Sequence, residues 1–178
     1  MKKYILTGLL SIAAFSFSAT AQVKTSAQEV ATPELAEKRE LLKKEVIANY
    51  LGMKNSLVLS DEKKTAAYAK EFSNSLTLFK FKKLTLEEMN TATVARKSIK
   101  ALADSITVAP SINEQRKLME KLSTQFWANI EKYKPASTAL YQQRCPMMGT
   151  TWVSDEKKIA NPYYPKNMLT CGEVIAEK

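Results

Sequence analysis

Residues 111–130 read SINEQRKLMEKLSTQFWANI, and this stretch decides the fold. Ser111 followed three positions later by Glu114 is the pattern of a capping box, in which two side chains satisfy free amides at a helix start. Leu118, Leu122, Phe126 and Ile130 then recur every four residues, which lines them along one face of a helix of period 3.6. Pro135 lies just beyond the predicted helix end.

Working outward, the same grammar repeats. Thr85-x-x-Glu88 is a second capping box, and Met89, Ala92, Ile99, Leu102 and Ile106 form the stripe behind it. Pro110-Ser111 separates these two helices. Ser60-Asp61-Glu62 caps an earlier helix with Tyr68, Phe72, Leu76 and Phe79 on its apolar face. The first helix starts at Thr32-Pro33-Glu34, with Pro33 in the first helical position. Leu35, Leu42, Val46 and Tyr50 carry its stripe, Gly52 is expected to end it, and Met53 to Val58 form a short connection. Four amphipathic helices with short connections predict an all-α domain, an antiparallel four-helix bundle over residues 33–134. The aromatic and Met positions of these stripes are read as core, since each buried Leu or Phe is worth about 1.5–3 kcal/mol.

Ahead of the bundle, residues 1–21 read as a signal peptide. Lys2 and Lys3 precede an apolar run from Tyr4 to Phe17, and Ala19 and Ala21 fit the small-residue cleavage rule, making Gln22 the mature start. The run is shorter than the roughly 20 residues a membrane-crossing helix requires. Residues 22–32 are polar and read as a flexible lead-in. Export followed by cleavage leaves about 157 residues, one domain's worth, with no predicted membrane span.

The formal net charge of +9 falls by two with the loss of Lys2 and Lys3. The basic residues are scattered, densest at Lys80-Phe81-Lys82-Lys83, a stretch read chiefly as a solvated turn. Export argues against nucleic acid as a partner. The chain has no histidine, so the usual base near neutral pH and the commonest metal ligand are both missing. Its four glycines form no phosphate-cradling loop. No catalytic constellation is visible, and the expectation is that the protein is not an enzyme.

Residues 135–178 differ in composition. A helical turn is expected at Ser137–Gln143. The sequence then runs RCPMMGTTWVSDEKKIANPYYPKNMLTCGEV from Arg144, holding both cysteines of the chain. Pro146, Pro162 and Pro165 exclude a long helix, so an irregular Cys/Met/aromatic-rich segment is expected to pack on the bundle through Trp152, Tyr163 and Tyr164. Cys145, Met147 and Met148 form one sulfur cluster. Met168 and Cys171, three apart, can share one side of a helical turn and form another. Thiolates and thioethers without imidazole favour Cu(I) or Ag(I) over zinc. Trp152 could cover a bound cation with its ring face. An even cysteine count in an exported protein equally predicts a disulfide. A Cys145–Cys171 bridge would close a loop of about 27 residues and stabilise the fold by about 3.5 kcal/mol in the chain-entropy picture. Both readings stand.

Tyr141-x-x-x-Cys145-Pro146-Met147, Trp152-x-Ser154, Asn161-Pro162-Tyr163-Tyr164 and Met168-Leu169-x-Cys171-Gly172, in this order, resemble the C-terminal signature of the domain of unknown function 3347 family. The run Ile112 to Lys117, continuing to Leu122-Ser123, resembles that family's last helix. The resemblance extends roughly from Leu41 to Val174 and is most specific in the last third. It implies an exported, periplasmic helical domain, found alone or fused to adaptor subunits of heavy-metal efflux pumps. Such an adaptor, or another envelope protein, is the implied partner, and copper or silver the implied cargo. Carried across, the implied ligands are Cys145, Met147, Met168 and Cys171. A disulfide-stapled interaction module without metal is the alternative.

Overall fold

The computed structural model describes residues 32–82 and 84–178. The predicted signal peptide, all of the lead-in except Thr32, and Lys83 lie outside the described residues.

Four main helices follow in order: α1 Pro33–Val58, α2 Glu62–Leu78, α3 Leu86–Thr107 and α4 Ile112–Ala128, with the single turn α5 Ile130–Tyr133 after them. Their starts are those the caps predict. Thr32, Asp61, Thr85 and Ser111 each accept a backbone N–H of the first turn. Thr85 and Glu88 form the full reciprocal box. At Ser111 the Glu114 carboxylate instead pairs with Lys117 at 2.7 Å.

The end of α1 corrects the expectation. The helix runs through Gly52 for six more residues, to Val58. It closes with the Asp61 N–H on the Ser56 carbonyl at 2.9 Å and the Ser60 N–H on the Leu57 carbonyl at 3.0 Å. This is a Schellman closure with Ser60, at φ 56°, in the left-handed position that glycine ordinarily takes. Gly52 has a different use. A Cβ there would stand 2.5 Å from the Tyr68 ring, so its bare backbone lets α2 approach closely.

The helices pack in chain order, α1 on α2, α2 on α3 and α3 on α4. The predicted stripes supply the core: Val46, Tyr50, Phe72, Leu76, Ile99, Ile106, Leu122, Phe126 and Ile130 are all fully buried. Tyr50 stacks on Phe126 with centroids 4.8 Å apart, and Phe72 meets Phe126 edge-on at 5.3 Å. Tyr68 is the exception in its stripe, being 40% exposed over Gly52.

The C-terminal segment is irregular only in part. Three strands, β1 Tyr141–Arg144, β2 Thr151–Ser154 and β3 Glu173–Glu177, form an antiparallel sheet in the order β2-β1-β3. Tyr141 pairs with Ser154 on one side and with Glu177 on the other. The helical turn expected at Ser137–Gln143 is therefore overturned. Two neighbouring strands supply the central strand with backbone partners that an isolated helical turn could not match. The sheet is fastened to the helices through β2, which faces α4. Trp152 and Val153 are buried, and the Val153 N–H donates to the Tyr50 hydroxyl at 3.0 Å. No helix among the described residues is long and apolar enough to cross a membrane.

Candidate functional site

The sheet brings the two cysteines together. Cys145 directly follows β1, and Cys171 stands two residues ahead of β3, the strand paired with β1. Their sulfurs lie 3.0 Å apart as free thiols. Cys145 is buried and Cys171 half-buried. A tight turn holds the first thiol: the Cys145 N–H donates to the Thr150 carbonyl at 3.0 Å, and the Gly149 N–H to the Cys145 carbonyl at 2.8 Å.

The two thiols are electrostatically unequal. Burial opposes ionisation of Cys145, but the Cys171 thiol, the Met148 and Met147 amides and the Asn161 side chain all favour its thiolate and together hold it below the ordinary thiol value. Cys171 is pushed up, chiefly by its hydrogen bond to Cys145, then by desolvation and the Cys145 charge. The first proton lost by the pair thus leaves a thiolate hydrogen-bonded by the remaining thiol.

Asn161 organises the loop around the thiols, a role that sequence reasoning missed. Fully buried, it donates to the Cys171 carbonyl at 3.3 Å and accepts the Tyr163 and Tyr164 amides at 2.9 and 3.3 Å. Its own N–H meets the Leu169 carbonyl at 2.8 Å. The Asn-Pro dipeptide signals such a side-chain turn, but which carbonyl it would reach depends on a segment ten residues away.

Arg116 of α4 fixes the same loop from the other side. Its guanidinium donates to the Pro162 carbonyl at 3.0 Å, the Leu57 carbonyl at 3.0 Å and the Ser60 hydroxyl at 2.8 Å. Tyr163 completes the attachment, its hydroxyl donating to the Thr151 carbonyl at 2.7 Å and lying 3.2 Å from the Ser123 hydroxyl.

The predicted thioethers are placed less closely than the thiols. Met168 is half-buried against the core, and its carbonyl accepts the Cys171 N–H at 3.0 Å, so the two share a turn as their spacing predicted. Met147 is 74% exposed and Met148 47% exposed, although both direct their amides to Cys145. Trp152 is fully buried, with its indole N–H on the Gln143 side chain at 2.6 Å. Its ring edge reaches the residue after Cys171: a Cβ on Gly172 would lie 3.0 Å from it. Among the described residues, no three His, Cys, Asp or Glu side chains converge in a group that could hold a metal ion.

A mostly helical domain with a small sheet attached, pinning a thiol pair between two strand ends, is the class that fold and site define. Residues 46–138 match the family described as protein of unknown function (DUF3347), and the chain belongs to that family. The match spans the helices from mid-α1 onward and stops before Cys145. No curated protein and no solved structure matches the chain.

Proposed function

We propose that this protein binds a monovalent soft metal, Cu(I) or Ag(I), through the thiolates of Cys145 and Cys171. It would act as an exported, periplasmic binding or delivery protein beside a heavy-metal efflux system, without enzymatic activity. The observation that carries the reading is the pairing of two thiols 3.0 Å apart, one of them surrounded by donors that favour its thiolate. Sulfur donors with no histidine in the chain match a soft cation in preference to zinc or a hard ion. Met168, sharing a turn with Cys171, and Met147, two residues after Cys145, are the thioethers that would complete coordination. Thioethers need no deprotonation, so they tolerate partial burial. An efflux adaptor or another envelope protein is the partner this role calls for.

The same sulfur separation favours a second reading, a Cys145–Cys171 disulfide stapling the sheet of an interaction module. Anaerobic Cu(I) competition titration of the reduced protein separates the two. One tight equivalent, lost in Cys145→Ser and sharply weakened in Cys171→Ser with unchanged far-ultraviolet circular dichroism, supports metal handling. Absence of Cu(I) binding, with a large fall in melting temperature on reduction, supports the staple.

A further inference from the structure

Far from the thiols in sequence, the start of α1 and the segment after α2 enclose a groove. Its larger chamber, about 450 Å³, has Leu35, Leu42, Leu78 and Phe79 as apolar lining. Lys38, Arg39, Lys80 and Lys82 make up the rest of that lining, with no acidic side chain among them. A second chamber of about 280 Å³ shares Arg39, Phe79, Lys80 and Lys82 with the first, and adds Lys43 and Lys132 against one acid, Glu131.

The groove is built on a fixed wall. Arg96 donates to the Phe79 carbonyl and lies over the Phe81 ring at 5.5 Å. Phe79 and Phe81 pack on Tyr133 at 5.0 and 5.8 Å. Leu35 and Leu78 nevertheless remain 44% and 61% exposed at the mouth. Exposed leucines beside Arg39 and Lys80 leave apolar surface wet and two like charges lining one groove. A ligand with one apolar chain and one acidic head relieves both at once.

We propose that this groove binds a single-chain anionic amphiphile, of the fatty-acid or lysophospholipid type. The chain lies along Leu35, Leu42, Leu78 and Phe79, and the acidic head meets Arg39 and Lys80. Chamber volumes of a few hundred Å³ are of small-ligand size, and the larger chamber is lined half by apolar and half by cationic groups. They are too confined for a folded protein partner, whose interface typically covers about 800 Å² on each side.

The probe is laurate below its micelle-forming concentration, titrated calorimetrically into the protein, with dodecyltrimethylammonium and acetate as controls. Saturable laurate binding is expected, with neither control binding comparably. The double charge reversal R39E/K80E, at one exposed and one half-exposed position, should weaken laurate by about tenfold or more, the loss of a charge-assisted contact. Its circular dichroism and melting temperature should be unchanged. Failure of laurate to bind, equal binding of the cationic amphiphile, or laurate binding untouched by R39E/K80E overturns the assignment. So does binding confined to anionic phospholipid vesicles, which would make the groove part of a membrane-facing surface.

Discussion

Cys145 and Cys171 differ in more than exposure. The first is held below the ordinary thiol value by the donors around it, and the second above it, chiefly by its hydrogen bond to Cys145. Metal binding to thiols displaces protons, so the proposed site should bind more tightly as pH rises. Below the first deprotonation of the pair two protons leave per metal, and between its two steps only one. Affinity should therefore climb steeply at low pH, less steeply between, and level off once both thiols are ionised. Competition titrations at several pH values read this directly, and a flat profile would remove the thiols from the site. Tyr50 is the residue on which the bundle and sheet meet. Its hydroxyl bonds Ser123 at 2.7 Å and accepts the buried Val153 N–H at 3.0 Å, and burial raises its pKa to about 12. Tyr50→Phe strands that amide, and should lower stability by about 1–3 kcal/mol in urea denaturation.

Among the elements, the α1–α2 pair shows how one glycine can be misread. Gly52 inside a helix weakens it by about 1 kcal/mol relative to alanine, which is why it resembles a terminator in sequence. The Tyr68 ring that lies over it accounts for its presence. Gly52→Ala should destabilise the protein despite better helix propensity, because the ring has to be displaced from the interface. In a Tyr68→Ala background the same change should stabilise by about 1 kcal/mol. A double-mutant cycle by thermal or urea unfolding tests the coupling, and equal effects in both backgrounds would place the role of Gly52 elsewhere. The true helix end carries no glycine. Ser60 takes the left-handed position there, and its hydroxyl is bonded by Arg116 from another helix.

Across the whole molecule, Arg116 ties the end of α1, α4 and the loop bearing Asn161 into one unit. Its planar fork reaches two carbonyls and a hydroxyl at once, which the single ammonium of lysine cannot reproduce. Arg116→Met should cost about 2 kcal/mol and loosen the 161–171 loop. Faster alkylation of Cys171 in the variant, with helix content retained, is the expected signature. An unchanged alkylation rate would mean that Asn161 and Tyr163 position the loop without it. A second long-range tie, invisible in the sequence, is Lys54: nearly buried in α1, it reaches the Ser154 hydroxyl of β2 at 3.4 Å. Burial lowers its pKa against the opposing pull of Asp155 and Glu156.

The sequence by itself determined the helices, their starts and most of their buried faces. Caps and a period of 3.6 are relations between residues within one turn or a few turns of each other, and such relations survive in any tertiary setting. It also singled out Cys145 and Cys171, and the turn shared by Met168 and Cys171. Only the tertiary structure decided that Tyr141–Arg144 is a central strand, since that depends on partners at Thr151–Ser154 and Glu173–Glu177. It likewise decided that Gly52 serves an approach, that Asn161 and Arg116 hold the thiol loop, and that Met147 stays outside while the two sulfurs meet. These outcomes rest on hydrogen bonds and packing between residues brought together by the fold, and strands of only four or five residues are too short for a local pattern to announce them.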